Sequence, residues 1–264
     1  MVFAIFMNRE IPNTQQSIQY EEQGDPLEVL SLVEIPVSLP SEGEVLIEMQ
    51  ASPIHPSDFG LIQGSYGKQN SLPAVAGREG VGTVVRVGRG VDEKIIGRPV
   101  SLPYGKGAWQ EYQLSKADDL ILFPALVPFE QLAVSLLNPL TAWRLLNDFE
   151  FLNPDDVIVQ NAGNSAVGQS VIQFAAKMGL RCVSVVRNPT SIAHLLALGS
   201  TEVWLDDEQV PERMKIYTEG RGCKLALNSV GGKSALRLVR CLERGGGACD
   251  LWCHGLIKHS LSHP

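Results

Sequence analysis

The stretch DVIVQNAGNSAVGQSVIQFAAKMGLRCVSVVRN, residues 156–188, decides the fold of the second half of this chain. It opens on a short apolar run, DVIVQ (156–160), and breaks at Asn161-Ala162-Gly163-Asn164. SAVGQSVIQFAAKMG (165–179) then carries apolar residues at helical spacing and ends on a glycine stop. RCVSVV (181–186) is a second apolar run of strand length. Strand, turn, helix and strand in this order make the unit from which parallel sheets are assembled.

The same grammar continues downstream. TSIAHLLALG (190–199) reads as helix, TEVWL (201–205) and KLALNSV (224–230) as strands, and GKSALRLVRCL (232–242) as helix. The alternation predicts a parallel sheet covered by helices, so its strands are apolar on both faces. Upstream of residue 150 the character differs. EVLIEMQ (44–50), VGTVVRVG (81–88), RPVSLP (98–103) and AWQEYQL (108–114) are short segments set between Pro, Gly and Ser breakers, the pattern of an all-β barrel or sandwich. Residues 128–149 between the two regions read as helix, with Pro139 marking a break.

Asn161 to Gly168 form the turn between the first strand of the second region and its helix. Such a turn aims backbone N–H groups and the positive helix end at a pyrophosphate. The usual dinucleotide fingerprint has glycine where Ser165 stands, and an ordinary strand-to-helix connection could use the same residues. Placement after a strand and before a helix favours cofactor binding. The next strand ends in Val185-Val186-Arg187-Asn188. NAD sites carry a carboxylate here for the ribose 2′-hydroxyl, whereas Arg187 suits a 2′-phosphate or stands as a solvated surface arginine. The expectation is NADPH rather than NADH.

Composition bounds the rest. With 264 residues, 44% hydrophobic and 19% charged, the chain has room for two domains. A net charge of −7 without a basic block argues against nucleic acid as a partner. No apolar run is long enough for a membrane span. The opening MVFAIFM lacks a basic leading segment, and Glu10, Glu21, Glu22 and Asp25 carry the wrong charge for an Arg-rich presequence. A cytoplasmic location is expected, with mitochondria the alternative. The five cysteines, Cys182, Cys223, Cys241, Cys249 and Cys253, show no disulfide-framework pattern.

Several blocks together resemble the trans-2-enoyl-thioester reductases, in the zinc-free branch of the medium-chain dehydrogenase/reductase superfamily. These are IHPSDFGLIQGSYG (54–67), LPAVAGREGVGTVVRVG (72–88), NPLTAWRLLNDFE (138–150), residues 157–188 and LALNSVGGKSA (225–235). The resemblance runs from about Tyr20 to about Gly247. It implies an α/β protein with a GroES-like catalytic and substrate domain (1–127) and a Rossmann, doubly wound NADPH-binding domain (128–247). It also implies reduction of an enoyl-CoA or enoyl-acyl-carrier-protein double bond in fatty acid synthesis, usually by a homodimer. On this resemblance Tyr66 is the proton donor, although its setting between Gly64 and Gly67 also fits a plain turn tyrosine. Asn138 would reach the nicotinamide end of the cofactor. Asn164, Ser165, Ala166, Val167 and Gly168 would hold its phosphates, and Arg187 with Asn188 its 2′-phosphate. Asn188 and Pro189 depart from the charged pair that often follows that arginine.

Zinc-using relatives place a cysteine before Ser-Asp and carry Gly-His-Glu, where this chain has His55-Pro56-Ser57-Asp58 and Gly77-Arg78-Glu79. His55 alone cannot hold a catalytic metal, so it is expected to be structural or to line the cleft. No metal site is expected.

After Gly247 the resemblance stops, and the sheet is expected to be incomplete, lacking its fifth and sixth strands. The run Cys249-Asp250-Leu251-Trp252-Cys253-His254-Gly255 has a reverse translation that reads Val-Thr-Tyr-Gly-Ala-Met one base later, close to the family's segment. Residues 248–264 are therefore expected to be an out-of-frame, poorly packed tail. Its Cys249, Cys253, His254, His259 and His263 match no common zinc spacing. Two further readings stay open: an NADPH:quinone oxidoreductase of the same superfamily, and a catalytically dead remnant.

Overall fold

A computed structural model of the chain describes residues 10–103 and 105–251. In chain order the elements are β1 (Thr14–Tyr20), α1 (Pro26–Val29), β2 (Ser31–Pro36), β3 (Glu44–Ala51), α2 (Pro56–Ile62), β4 (Ala74–Val75), β5 (Val81–Val87), β6 (Pro99–Ser101), β7 (Tyr112–Lys116), β8 (Ile121–Leu122) and α3 (Phe129–Leu132). A second series follows: α4 (Leu137–Asn147), β9 (Val157–Asn161), α5 (Ala166–Lys177), β10 (Arg181–Val186), α6 (Ile192–Ala197), β11 (Glu202–Leu205), α7 (Val210–Tyr217), β12 (Cys223–Asn228), α8 (Gly232–Val239) and β13 (Leu242–Asp250). The chain divides into two compact units between Leu136 and Leu137.

The first unit is antiparallel. Its five-stranded sheet has the order β7-β3-β5-β6-β8, and a three-stranded sheet has the order β2-β1-β4. β3 shows why its sequence lacks clean alternation. Val45 and Ile47 point into one cluster with Val84 and Val100, while Leu46 points the other way onto Val85 and Tyr112. Successive side chains leave opposite faces of a strand, and here both faces are covered. The helical region expected over 128–149 is two helices. The first, α3, buries Leu132 beside Val81 and Phe123 and so belongs with the β unit. In the second, Pro139 sits in the first turn of α4, where a missing N–H costs nothing, so the break precedes it.

The second unit is the parallel sheet that residues 156–188 predict. All its pairings are parallel and its order is β11-β10-β9-β12-β13. Ile158, Cys182, Leu225 and Leu227 pack on one face beneath α4 and α5. Val157, Val159, Val183 and Ala226 pack on the other with Met214 of α7 and Leu238 of α8. The chain runs outward from β9 through β10 to β11, then returns to the opposite side of β9 as β12. The boundary between β9 and β12 is therefore the topological switch point, where open α/β sheets bind ligands beyond their carboxyl strand ends.

One expectation is corrected here. The sheet has its fifth strand: β13 pairs with β12 through Asn228–Asp250, and residues 248–250, assigned to the tail, are part of it. Cys249 is 3% exposed in one core cluster, and Ala248 packs against the other. The Gly245-Gly246-Gly247 run had hidden the strand, because pairing jumps from Cys223–Leu242 to Leu225–Gly247 across it. With its thiol in the core, Cys249 is not available to a zinc cluster. Trp252 to Pro264, including Cys253, His254, His259 and His263, lie outside the described residues. Among the described residues no helix is long and apolar enough to cross a membrane.

Candidate active site

The strand-to-helix turn of the second unit is held by close approach. A Cβ on Gly163 would come within 2.8 Å of the Ser184 Cβ, and one on Gly168 within 2.7 Å of the Ala162 carbonyl oxygen. Both positions therefore require glycine, one for turn-to-strand packing and the other for helix-to-turn packing. Ser165, at the position where the fingerprint has glycine, is the N-cap of α5. Its backbone is extended (φ −72°), and its hydroxyl accepts from the Gly168 N–H at 3.1 Å. The left-handed residue of the turn is Ala162, at φ 49°.

Asn164, Ser165, Ala166, Val167 and Gly168 are thus gathered on one turn. Asn164 and Ala166 are exposed, and the first-turn N–H groups of a helix have no partner inside it. Arg187 is exposed just beyond the end of the adjacent β10. Asn188 follows, but its side-chain oxygen accepts from the Thr190 N–H at 3.0 Å and caps a short 3-10 turn. Asn138 is buried in the first turn of α4. These features fit a dinucleotide: a glycine-lined cradle, a helix N-terminus facing solvent, and an exposed arginine just beyond the neighbouring strand.

Behind the turn lies a buried polar network that the residue patterns did not reveal. Gln160 donates to the Gly168 carbonyl at 3.0 Å and to the Ser184 hydroxyl at 3.2 Å. Asn161 donates to Asn228 and Ser234 at 2.7 and 3.0 Å. The only sequence signal was the polar end of otherwise apolar strands.

In the first unit, Tyr66 closes the loop after α2. Its N–H and that of Ser65 both donate to the Gly60 carbonyl, at 3.1 and 2.9 Å. The guanidinium of Arg78, with Nε and Nη1 buried, lies 5.0 Å from the Tyr66 ring centroid, within cation–π range. Asp58 is 1% exposed beneath this loop. Burial pushes its carboxyl above the ordinary range, against the lowering effect of the His55 N–H, which donates to it at 2.6 Å, of His55 and of Arg78.

His55 has a structural role. It caps α2 reciprocally with Asp58, and its Nε2 meets Glu79 Oε2 at 2.8 Å, with both side chains largely buried. Among the described residues no group of three or more His, Cys, Asp or Glu side chains is arranged to hold a metal ion. Cys182, Cys223, Cys241 and Cys249 are buried and form no disulfide with one another, and burial pushes the Cys182 and Cys241 thiols up to about 12.

Comparison with known proteins accords with this geometry. Residues 41–125 match the alcohol dehydrogenase GroES-like domain family, and residues 166–249 match the zinc-binding dehydrogenase family. The mitochondrial enoyl-[acyl-carrier-protein] reductase of Xenopus tropicalis is 40% identical over 238 residues, covering 88% of this chain and 68% of the frog protein. The chain belongs to the mitochondrial enoyl-[acyl-carrier-protein] reductase family. The enzyme of the same name from Homo sapiens is 40% identical over 241 residues, covering 89% of this chain and 65% of its own length. The chain thus spans about two thirds of these relatives.

Solved structures agree on the architecture, a GroES-like domain with a Rossmann sheet. Etr1p in complex with NADP and crotonyl-CoA is 30% identical with a TM-score of 0.80, covering 89% of this chain and 74% of Etr1p. A quinone oxidoreductase of Pseudomonas syringae is 29% identical with a TM-score of 0.77, covering 89% and 72%.

Proposed function

We propose that this chain is an NADPH-dependent trans-2-enoyl-thioester reductase, acting on an enoyl-CoA or enoyl-acyl-carrier-protein. The observation that carries the reading is the likeness to the Etr1p complex with NADP and crotonyl-CoA, together with a tyrosine fixed in the substrate unit. NADPH, when bound, supplies a hydride to the β-carbon of the conjugated thioester. The chain does the rest. The turn from Asn164 to Gly168 binds the pyrophosphate, with the first-turn N–H groups of Ala166 and Val167 as donors because those of Ser165 and Gly168 donate within the turn, and Arg187 pairs with the 2′-phosphate. Asn138 supports the nicotinamide end. Asn188 serves the site by shaping the turn after Arg187, since its side-chain oxygen is engaged locally.

Hydride addition leaves negative charge on the thioester oxygen and a need for a proton at the α-carbon. A neutral phenol can hydrogen-bond to the first and deliver the second, and Tyr66 is assigned both tasks. Packing of Arg78 on its ring keeps the phenol in place. The likeness to a quinone oxidoreductase keeps quinone reduction as the second reading, because it would use the same cofactor site. The names of the relatives favour a mitochondrial setting over the cytoplasmic one expected from the charge of the N-terminal region. A homodimer is the assembly we infer, in keeping with the Etr1p/Etr2p heterodimer of Candida tropicalis among the similar structures. The domains we assign are a substrate unit and a cofactor unit.

The test compares acceptors. With NADPH present, crotonyl-CoA should be reduced at least tenfold faster than a benzoquinone, and Tyr66→Phe should lower only the enoyl rate, by about 10²-fold or more. Faster quinone turnover, or a Tyr66→Phe enzyme with full enoyl activity, would overturn the assignment. NADPH binding with no turnover of either acceptor would point to the remnant reading.

A further inference from the structure

The Asn161 side chain spans the switch point of the sheet. It stands at the carboxyl end of β9, 2% exposed, and is fully engaged. Its Oδ1 accepts from the Ser229 N–H at 2.6 Å, and its Nδ2 donates to Asn228 Oδ1 at 2.7 Å and to Ser234 Oγ at 3.0 Å. The orientation of both amides is dictated by the backbone. An N–H can only donate, so the Asn161 atom facing Ser229 is oxygen. Asn228 Oδ1 also accepts from the Val230 and Gly231 N–H groups at 3.2 and 3.0 Å, so the atom Asn161 presents to it is nitrogen.

These bonds converge on the loop 229–231 between β12 and α8. That loop is otherwise pliable, with Gly231 and Gly232 both in the left-handed region and no side-chain cap on α8. Asn161 fastens its start, Asn228 fastens its middle, and the Asn161–Ser234 bond fastens the first turn of α8 to the end of β9. In a doubly wound sheet the two halves of a dinucleotide lie on either side of the switch point. Arg187, just beyond the end of β10, assigns the adenosine 2′-phosphate half to the β9-β10-β11 side. The loop 229–231 therefore lies on the side of the nicotinamide half.

The geometry points to Asn161 as a positioning residue that couples the two halves of the cofactor site, holding the nicotinamide-side loop in register with the phosphate turn. This rests on the NADPH reading above. Because it acts through the loop, its loss should weaken the dinucleotide while sparing a ligand that occupies only the adenosine half. A merely structural role would affect both ligands alike.

The experiment is calorimetric titration of the full chain with NADPH and, separately, with adenosine 2′,5′-bisphosphate. The variants are Asn161→Leu, which is uncharged and of similar size, and Ser234→Ala, which removes only one bond of the clamp. For Asn161→Leu the NADPH Kd should rise about tenfold, the scale of a lost buried hydrogen-bonding group, while the bisphosphate Kd stays within about twofold. Ser234→Ala should shift NADPH alone by about threefold, and it decides the matter if Asn161→Leu does not fold. An equal loss for both ligands, or no loss for NADPH, overturns the clamp while leaving the cofactor reading intact. A wild-type chain that binds neither ligand overturns the cofactor reading itself.

Discussion

The guanidinium carbon of Arg78 lies 5.0 Å from the centroid of the Tyr66 ring, and its Nη1 and Nη2 stand 3.8 Å from where a Cβ on Gly67 would be. Arg78 occupies the place where zinc-using relatives carry a ligand histidine, and here it packs on the side chain assigned as proton donor. A partly desolvated cation–π contact is worth about 0.5–2 kcal/mol, or roughly 2- to 30-fold in rate if it is expressed in the transition state. Arg78→Met should therefore lower kcat for crotonyl-CoA by about tenfold with the NADPH Kd unchanged, and Arg78→Lys should recover part of the loss. An Arg78→Met enzyme with wild-type kcat would show that the contact has no part in proton delivery.

Gly168 stands where two effects oppose each other. Alanine in a helix is favoured over glycine by about 1 kcal/mol. The added Cβ would meet the Ala162 and Gly163 carbonyl oxygens at 2.7 and 2.8 Å, contacts with backbone that cannot move cheaply. Strain should win, so Gly168→Ala is expected to lose about 1–3 kcal/mol in urea denaturation and to weaken NADPH binding. A variant more stable than wild type would mean that the turn is looser than its packing indicates.

Arg187 should decide between cofactors. Arg187→Glu places a carboxylate beside the 2′-phosphate and in the position that accepts from a ribose 2′-hydroxyl. The NADPH Kd should rise at least tenfold while the NADH Kd falls or stays level, as read by quenching of protein fluorescence. Unchanged discrimination would return Arg187 to the role of a solvated surface residue.

Asp58 gives the fold a pH dependence of defined sign. Burial raises its carboxyl in the folded chain, so the folded state keeps this proton to higher pH than the unfolded state. The cost of charging Asp58 is absent below both values and grows as pH rises through the folded one. Asp58→Asn keeps an acceptor for the His55 N–H without the charge. It should be more stable than wild type near neutrality, and this advantage should vanish as pH falls below the ordinary carboxylate range. Urea unfolding at several pH values checks this; an advantage that grows on acidification would contradict it.

How far these features could be read in advance depended on the range of the interactions behind them. The β9–α5–β10 unit was legible because its periodicity and turn are local, whereas Ser165 was read only as a departure from the fingerprint glycine and not as the cap of α5. The α7 helix was not read, since VPERMKIY buries only Val210 and Met214. The β13 strand was missed because glycines and a shift in pairing interrupt its pattern. At the site, the Asn161 bonds to Asn228 and Ser234 cross 67 and 73 residues of sequence, and no local pattern announces such a network. Arg78 was noted only as a missing zinc ligand, because its approach to Tyr66 arises from two separate loops.

The most direct measurement follows the fate of deuterium. NADPH deuterated at the transferred position of its nicotinamide ring is incubated with crotonyl-CoA and the purified chain in ordinary water, and the thioester product is examined by mass spectrometry and NMR. The expected product is butyryl-CoA with a single deuterium at the β-carbon and a solvent-derived hydrogen at the α-carbon, with almost none formed by Tyr66→Phe. A folded, soluble chain that binds NADPH yet forms no saturated thioester, or that places the deuterium elsewhere, would contradict the reductase assignment.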